Sequence, residues 1–169
     1  MCKNRKPLKV FIPQMILVAL IIWGGWAYVG YRFTVGIDAQ NAACLPFRYF
    51  LIDKTDKEIP TLGYVAFRVD HRVEPHFMAG DRFIKQIRGQ AGDHVQVKNG
   101  RVFINSQFVA ELDPHALDVL KRSASDFDRD LILQPQDIWV MGTSKDAFDS
   151  RYWGPVHAGQ IVGQVYPII

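Results

Sequence analysis

The chain has 169 residues, with 20 Lys or Arg against 17 Asp or Glu, a net charge of +3, and 49% hydrophobic residues. That length supports one domain with an ordinary core, and a composition holding only 2 Cys excludes a disulfide scaffold and a disordered chain. The positive charge is not a nucleic-acid footprint, because Lys3, Arg5, Lys6 and Lys9 carry the excess and the remainder is close to neutral.

The first predicted element is a membrane anchor. From Val10 to Tyr31 no charged residue appears, and Met15 to Trp23 is almost entirely aliphatic. About 20 apolar residues rising 1.5 Å each cross a hydrocarbon layer roughly 30 Å thick. Trp23, Trp26, Tyr28 and Tyr31 gather toward the end of the run, where rings favour the headgroup level. Pro13 and Gly24-Gly25 are tolerable in a lipid-embedded helix. Four bases precede the run and only Arg32 follows directly, which places the N-terminus in the cytoplasm by the positive-inside rule. A cleaved signal peptide would have a shorter apolar region, about 7–15 residues, and a small-residue cleavage site. Asn41-Ala42-Ala43-Cys44 lies well beyond the run and has Asn where a lipoprotein cleavage site wants an aliphatic residue. The expected organisation is a cytoplasmic basic N-terminus (1–9), a transmembrane signal anchor (10–31) and an exported domain (32–169) with an insertion at about 110–135.

After a tether from Arg32 to Gln40, short apolar runs alternate with turn signals, which predicts a mainly β domain, an antiparallel sandwich or barrel. Strands are predicted at 64–69, 82–87, 94–98, 101–104, 137–141 and 160–166. Asn99-Gly100 is the strongest short-range signal for a two-residue hairpin turn, and Asn105-Ser106 is a second tight turn leading into Phe108-Val109. Asp113-Pro114 can cap a short helix with Ala116, Leu117 and Leu120 on one face. The polar stretch Ser123 to Asp130 reads as a surface insertion.

Three segments carry chemistry. Cys44-Leu45-Pro46 holds the only thiol expected outside the cytoplasm, either an inert buried side chain or a reactive group. In Phe83-Ile84-Lys85-Gln86-Ile87, strand alternation puts Lys85 on one face with Phe83 and Ile87. A lysine desolvated by such neighbours gives up its proton more readily and can serve as a base near pH 7, although a strand lysine more often snorkels to solvent. The third segment, Met141 to Val156, is a dense polar run between two strands. There Asp149 and Arg151 can face each other in a turn and form a charge-assisted bond.

Together these segments resemble the signal peptidase I superfamily of serine-lysine endopeptidases. Ile84-Lys85-Gln86-Ile87-Arg88-Gly89-Gln90-Ala91-Gly92-Asp93 is similar to the box around that family's catalytic lysine, and Asp149-Ser150-Arg151-Tyr152-Trp153-Gly154-Pro155-Val156 to its C-terminal signature. The small size and Cys44-Leu45-Pro46 look more like the conjugative-transfer branch, which matures pilin subunits; general leader peptidases have Ser-Met-x-Pro there. The resemblance implies a signal-peptidase-like antiparallel β domain behind its transmembrane helix, with Cys44 as nucleophile in place of Ser and Lys85 as its base. It also implies that the Cys44 backbone N–H serves the oxyanion, while Asp149, Ser150 and Arg151 support the site. Two hydroxyls of the family pattern are missing, at Ala42 (oxyanion) and at Ala147 (orienting the lysine), where Ser144 or Thr143 could substitute. A thiol needs less help from a base than a hydroxyl does, so a Cys-Lys dyad is chemically sound.

The partners so implied are an exported, pilin-like precursor, the lipid bilayer and proteins of a conjugation apparatus, with no nucleic acid, no cofactor and no metal. The location implied is a bacterial inner membrane, crossed once, with the catalytic domain in the periplasm. The alternatives are a general leader peptidase, an inactive structural subunit of the transfer machinery, and a Cys-His protease. For the last, His71, His76, His94, His115 and His157 are scattered without a motif or metal-ligand spacing.

Overall fold

The structure, a computed structural model, describes residues 8–38 and 44–168. Among the described residues, a helix α1 (Leu8–Arg32) leads into eleven strands and two short helices. The strands are β1 (Phe33–Ile37), β2 (Tyr49–Asp53), β3 (Tyr64–Arg68), β4 (Arg82–Gly89), β5 (His94–Lys98), β6 (Arg101–Ile104), β7 (Gln107–Glu111), β8 (Arg129–Ile132), β9 (Asp137–Met141), β10 (Val156–His157) and β11 (Ile161–Pro167). The helices are α2 (Pro114–Leu120) and α3 (Ser150–Trp153).

All strand pairs are antiparallel, in a seven-stranded sheet of order β1-β2-β11-β3-β4-β9-β10 and a four-stranded sheet of order β7-β6-β5-β8. The fold is mostly β with one apolar N-terminal helix, as the sequence predicts. Alternation along β3 explains how the large sheet is covered on both faces. Val65 and Phe67 enter the larger core with Ile87, Trp139 and Trp153, while Ala66 enters a second cluster with Leu45, Phe50, Ile52 and Val165.

Helix α1 is long and apolar enough to cross a membrane, and every residue from Phe11 to Tyr31 is exposed. Among the described residues nothing packs over its apolar surface. Its last turn is fastened to the large sheet. Buried Asp53 accepts from Arg32 Nε and Nη2 at 2.9 and 2.7 Å and from Thr55 Oγ1 at 2.7 Å, and these bonds hold its carboxyl down at about 2.

The hairpin turns fall where expected. Asn99 and Gly100 have φ of 51° and 75°, and Asn105 and Ser106 of 50° and 65°, the left-handed pairs that two-residue hairpins require. Helix α2 begins at Pro114 with the Asp113 carboxylate accepting from the His115 N–H. Three segments differ from expectation. The tether is β1 over Phe33–Ile37, and β2 (Tyr49–Asp53) was not predicted at all. Ser123 to Asp130 is no simple surface excursion: a 3-10 turn at Ala124–Phe127 buries Phe127 to 2% exposure, and β8 completes the small sheet against β5. Charged residues on its outer face hide the few apolar ones that matter.

Candidate active site

Lys85 sits in the middle of β4, opposite Val65 of β3, and is only 5% exposed. The alternation places it as the sequence indicates, with Phe83 and Ile87 on its face; its ammonium lies 5.9 Å from the Phe83 ring centroid. A lysine so placed does not reach solvent by snorkelling.

Cys44 is half-buried, and two restraints fix its backbone. Leu45, 4% exposed, is rooted in the second core cluster. The Cys44 carbonyl accepts from the Thr143 N–H at 2.8 Å and from Thr143 Oγ1 at 3.1 Å. Cys44 and Lys85 line one cleft of about 780 Å³, together with Gly36, Ile84, Phe83 and Asp146. None of the five histidines lines it, and His94 and His157 bond to Asp130 and to the Gly159 N–H instead, which weighs against a Cys-His protease. Ala42 lies outside the described residues.

The polar run after β9 supports the cleft from behind. Asp149, fully buried, accepts from the Gly142 N–H at 2.8 Å and from Arg151 Nε and Nη2, both at 2.9 Å. Arg151, 2% exposed, also donates to the carbonyls of Lys145 at 3.0 Å, Ala147 at 2.8 Å, Ser144 at 3.3 Å and Glu111 at 3.0 Å. Burial works against its charge, but the Asp149 carboxylate prevails and the guanidinium is held more firmly protonated than usual. The Ser150 hydroxyl accepts from the Val140 N–H at 3.1 Å and ties α3 to β9. The ion pair expected between Asp149 and Arg151 is present, and its reach is wider than the two-residue spacing suggested.

Ala147 is fully buried and offers no hydroxyl. Of its possible substitutes, the Thr143 hydroxyl is engaged by the Cys44 carbonyl. Ser144 Oγ is buried with no hydrogen-bond partner among the described residues. Thr143 therefore acts on the cysteine side of the cleft, a contact that spacing in the sequence could not reveal.

Gly142 lies between the loop and Cys44 with no room for a side chain. A Cβ built there would clash with the Ala147 Cβ and lie 3.0 Å from the Cys44 carbonyl oxygen. Gly142→Ala is accordingly expected to cost about 1–3 kcal/mol through overpacking. It should also lower turnover about a hundredfold by displacing Cys44. Unfolding and steady-state cleavage of the same variant check both; unchanged turnover would mean that this contact does not position the thiol.

The sequence profile described as signal peptidase, peptidase S26, matches residues 8–169. The chain is 30% identical over 97 residues to the probable thylakoidal processing peptidase 2, chloroplastic, of Arabidopsis thaliana, covering 54% of this chain and 24% of that protein. To thylakoidal processing peptidase 1, chloroplastic, of the same plant it is 28% identical over 90 residues, 52% of this chain and 24% of that protein. The matched region thus spans about a quarter of the length of these relatives. Among solved structures it is similar to a signal peptidase I of Enterococcus faecalis V583, with 19% identity, a TM-score of 0.38 and coverage of 63% of this chain and 96% of that one.

Proposed function

The chain belongs to the signal peptidase family, peptidase S26, and on that premise we propose that it is a membrane-anchored endopeptidase that cleaves exported precursor proteins with a Cys44-Lys85 dyad. The observation that carries this reading is the shared cleft: a thiol from the segment before β2 and a buried amine from the middle of β4 line the same hollow. Lys85 takes the thiol proton as Cys44 Sγ attacks the scissile carbonyl. It then returns that proton to the leaving amine, and an acyl-enzyme remains. The backbone N–H of Cys44 serves the oxyanion, with the Cys44 carbonyl side held by Thr143. Water, or a terminal amine of the substrate, then resolves the thioester. Asp149, Ser150 and Arg151 play a structural part, since their bonds run to the loop and to β9.

The anchor occupies 10–31, the basic residues 1–9 face the cytoplasm and 32–169 form the exported domain in the periplasm of a bacterial inner membrane. Cys44-Leu45-Pro46 supports a pilin-like substrate and a place in conjugative transfer over a general leader peptidase. Incubating the full chain in detergent with a pilin precursor should release a shortened product, and pretreatment with iodoacetamide should abolish that release. Cleavage that survives complete alkylation of Cys44 would refute the thiol as nucleophile.

A further inference from the structure

A second hollow, of about 510 Å³, lies against the large sheet and is lined by Lys54, Lys57 and Arg68. The acid lining it is Asp70, and both its carboxylate oxygens are taken by Arg72, with Nε 2.8 Å from Oδ1 and Nη2 2.7 Å from Oδ2. Three basic residues therefore line the hollow and the acid in its lining is already paired; Arg68 also donates from Nη1 to the Gly80 carbonyl at 2.8 Å, and Asp56 and Glu58 flank Lys57 in the chain. Lys57 is exposed and Lys54 is half-buried.

Lys54 ties this hollow to the helix. Lys54 Nζ donates to the Gly30 carbonyl in the last turn of α1 at 2.8 Å, and the Lys54 N–H donates to the Arg32 carbonyl at 2.8 Å. Exposed Trp26, Tyr28 and Tyr31 ring the same end of the helix, at the depth where aromatic side chains meet headgroups. If α1 spans the bilayer, Lys54 lies at the membrane surface. Arg68 lines both this hollow and the cleft that holds Cys44 and Lys85, so an occupant would sit beside the reaction site.

We propose that the hollow of Lys54, Lys57 and Arg68 binds the phosphate of an anionic phospholipid headgroup and so seats the active-site cleft on the membrane surface. A phosphodiester supplies the negative charge that these bases lack, and its acyl chains can lie alongside the exposed apolar face of α1. The inference rests on the anchor reading of α1. The fully buried Asp149-Arg151 network is not involved.

The test uses the full chain in neutral detergent, titrated with short-chain phosphatidylglycerol, short-chain phosphatidylcholine or glycerol phosphate while thermal unfolding is followed. Phosphatidylglycerol should raise the midpoint saturably, and phosphatidylcholine should leave it unmoved. Lys57→Glu, at an exposed site, should weaken the phosphatidylglycerol response about 30-fold, because the reversal changes two charges at roughly a factor of five each. Lys98→Glu, on the small sheet, should leave the response intact. An equal response to phosphatidylcholine, or an unchanged one in Lys57→Glu, overturns the proposal. An equal response to glycerol phosphate overturns the lipid as source and leaves a soluble phosphate ester. Flotation with neutral phosphatidylcholine vesicles separates the two readings. A chain that fails to float refutes the anchor, whereas one that floats but shows a flat titration refutes the hollow alone.

Discussion

Cys44→Ala is expected to reduce precursor cleavage by about ten-thousandfold or more, and Lys85→Met by a similar factor, because a dyad works as a unit and neither half substitutes for the other. Methionine fills the space of the lysine stem in a site only 5% exposed, so the fold should survive and the loss can be read as chemistry. Cys44→Ser is the more discriminating variant. It restores the hydroxyl usual in this family opposite the same amine, so it should retain cleavage within about a hundredfold of the parent while becoming resistant to iodoacetamide. Precursor conversion and mass spectrometry of the alkylated protein provide both readouts. Full activity in Cys44→Ala would eliminate the proposed nucleophile. A wild-type protein that cleaves no precursor, with Cys44 unreactive toward alkylation, would instead identify an inactive structural relative.

Arg151→Met should be the most damaging substitution outside the dyad. It leaves the Asp149 carboxylate buried without its cation and withdraws donors from four backbone carbonyls, at Glu111, Ser144, Lys145 and Ala147. Breaking one side of a buried ion pair costs about 3–5 kcal/mol, and a domain of this size should melt roughly 10–20 °C lower. Ser150→Ala should cost less, about 1–3 kcal/mol, since it orphans one buried N–H, that of Val140. Denaturant unfolding of the full chain in detergent compares the two. A loss below 1 kcal/mol for Arg151→Met would show that the pair adds little beyond what apolar packing could supply.

These expectations also locate the limits of the sequence. The strand around Lys85 was legible because period-two alternation between Phe83 and Ile87 is a local property, and the turns at Asn99-Gly100 and Asn105-Ser106 because positive φ is a residue-level demand. β1 was hidden because Phe33–Ile37 reads as a continuation of the anchor's exit. It becomes a strand only because β2 supplies the hydrogen-bonding edge. The polar segment around Phe127 misled for a related reason: one buried ring and one strand pairing outweigh the charges beside them, and neither is visible before the chain closes on β5.

The sequence by itself determined the apolar helix, the antiparallel β character and the family signature, because periodicity, turn preference and a run of adjacent residues are written along the chain. Tertiary structure alone decided that Cys44 and Lys85 share a cleft, that Thr143 grips the Cys44 carbonyl, and that Arg151 spans a whole loop. It also decided that Lys54, Lys57 and Arg68 line one hollow and that Lys54 bonds to the end of the helix. Each of these depends on which strands pair and which carbonyls are left over after pairing, and those are properties of the closed sheet, distributed over residues far apart in the chain.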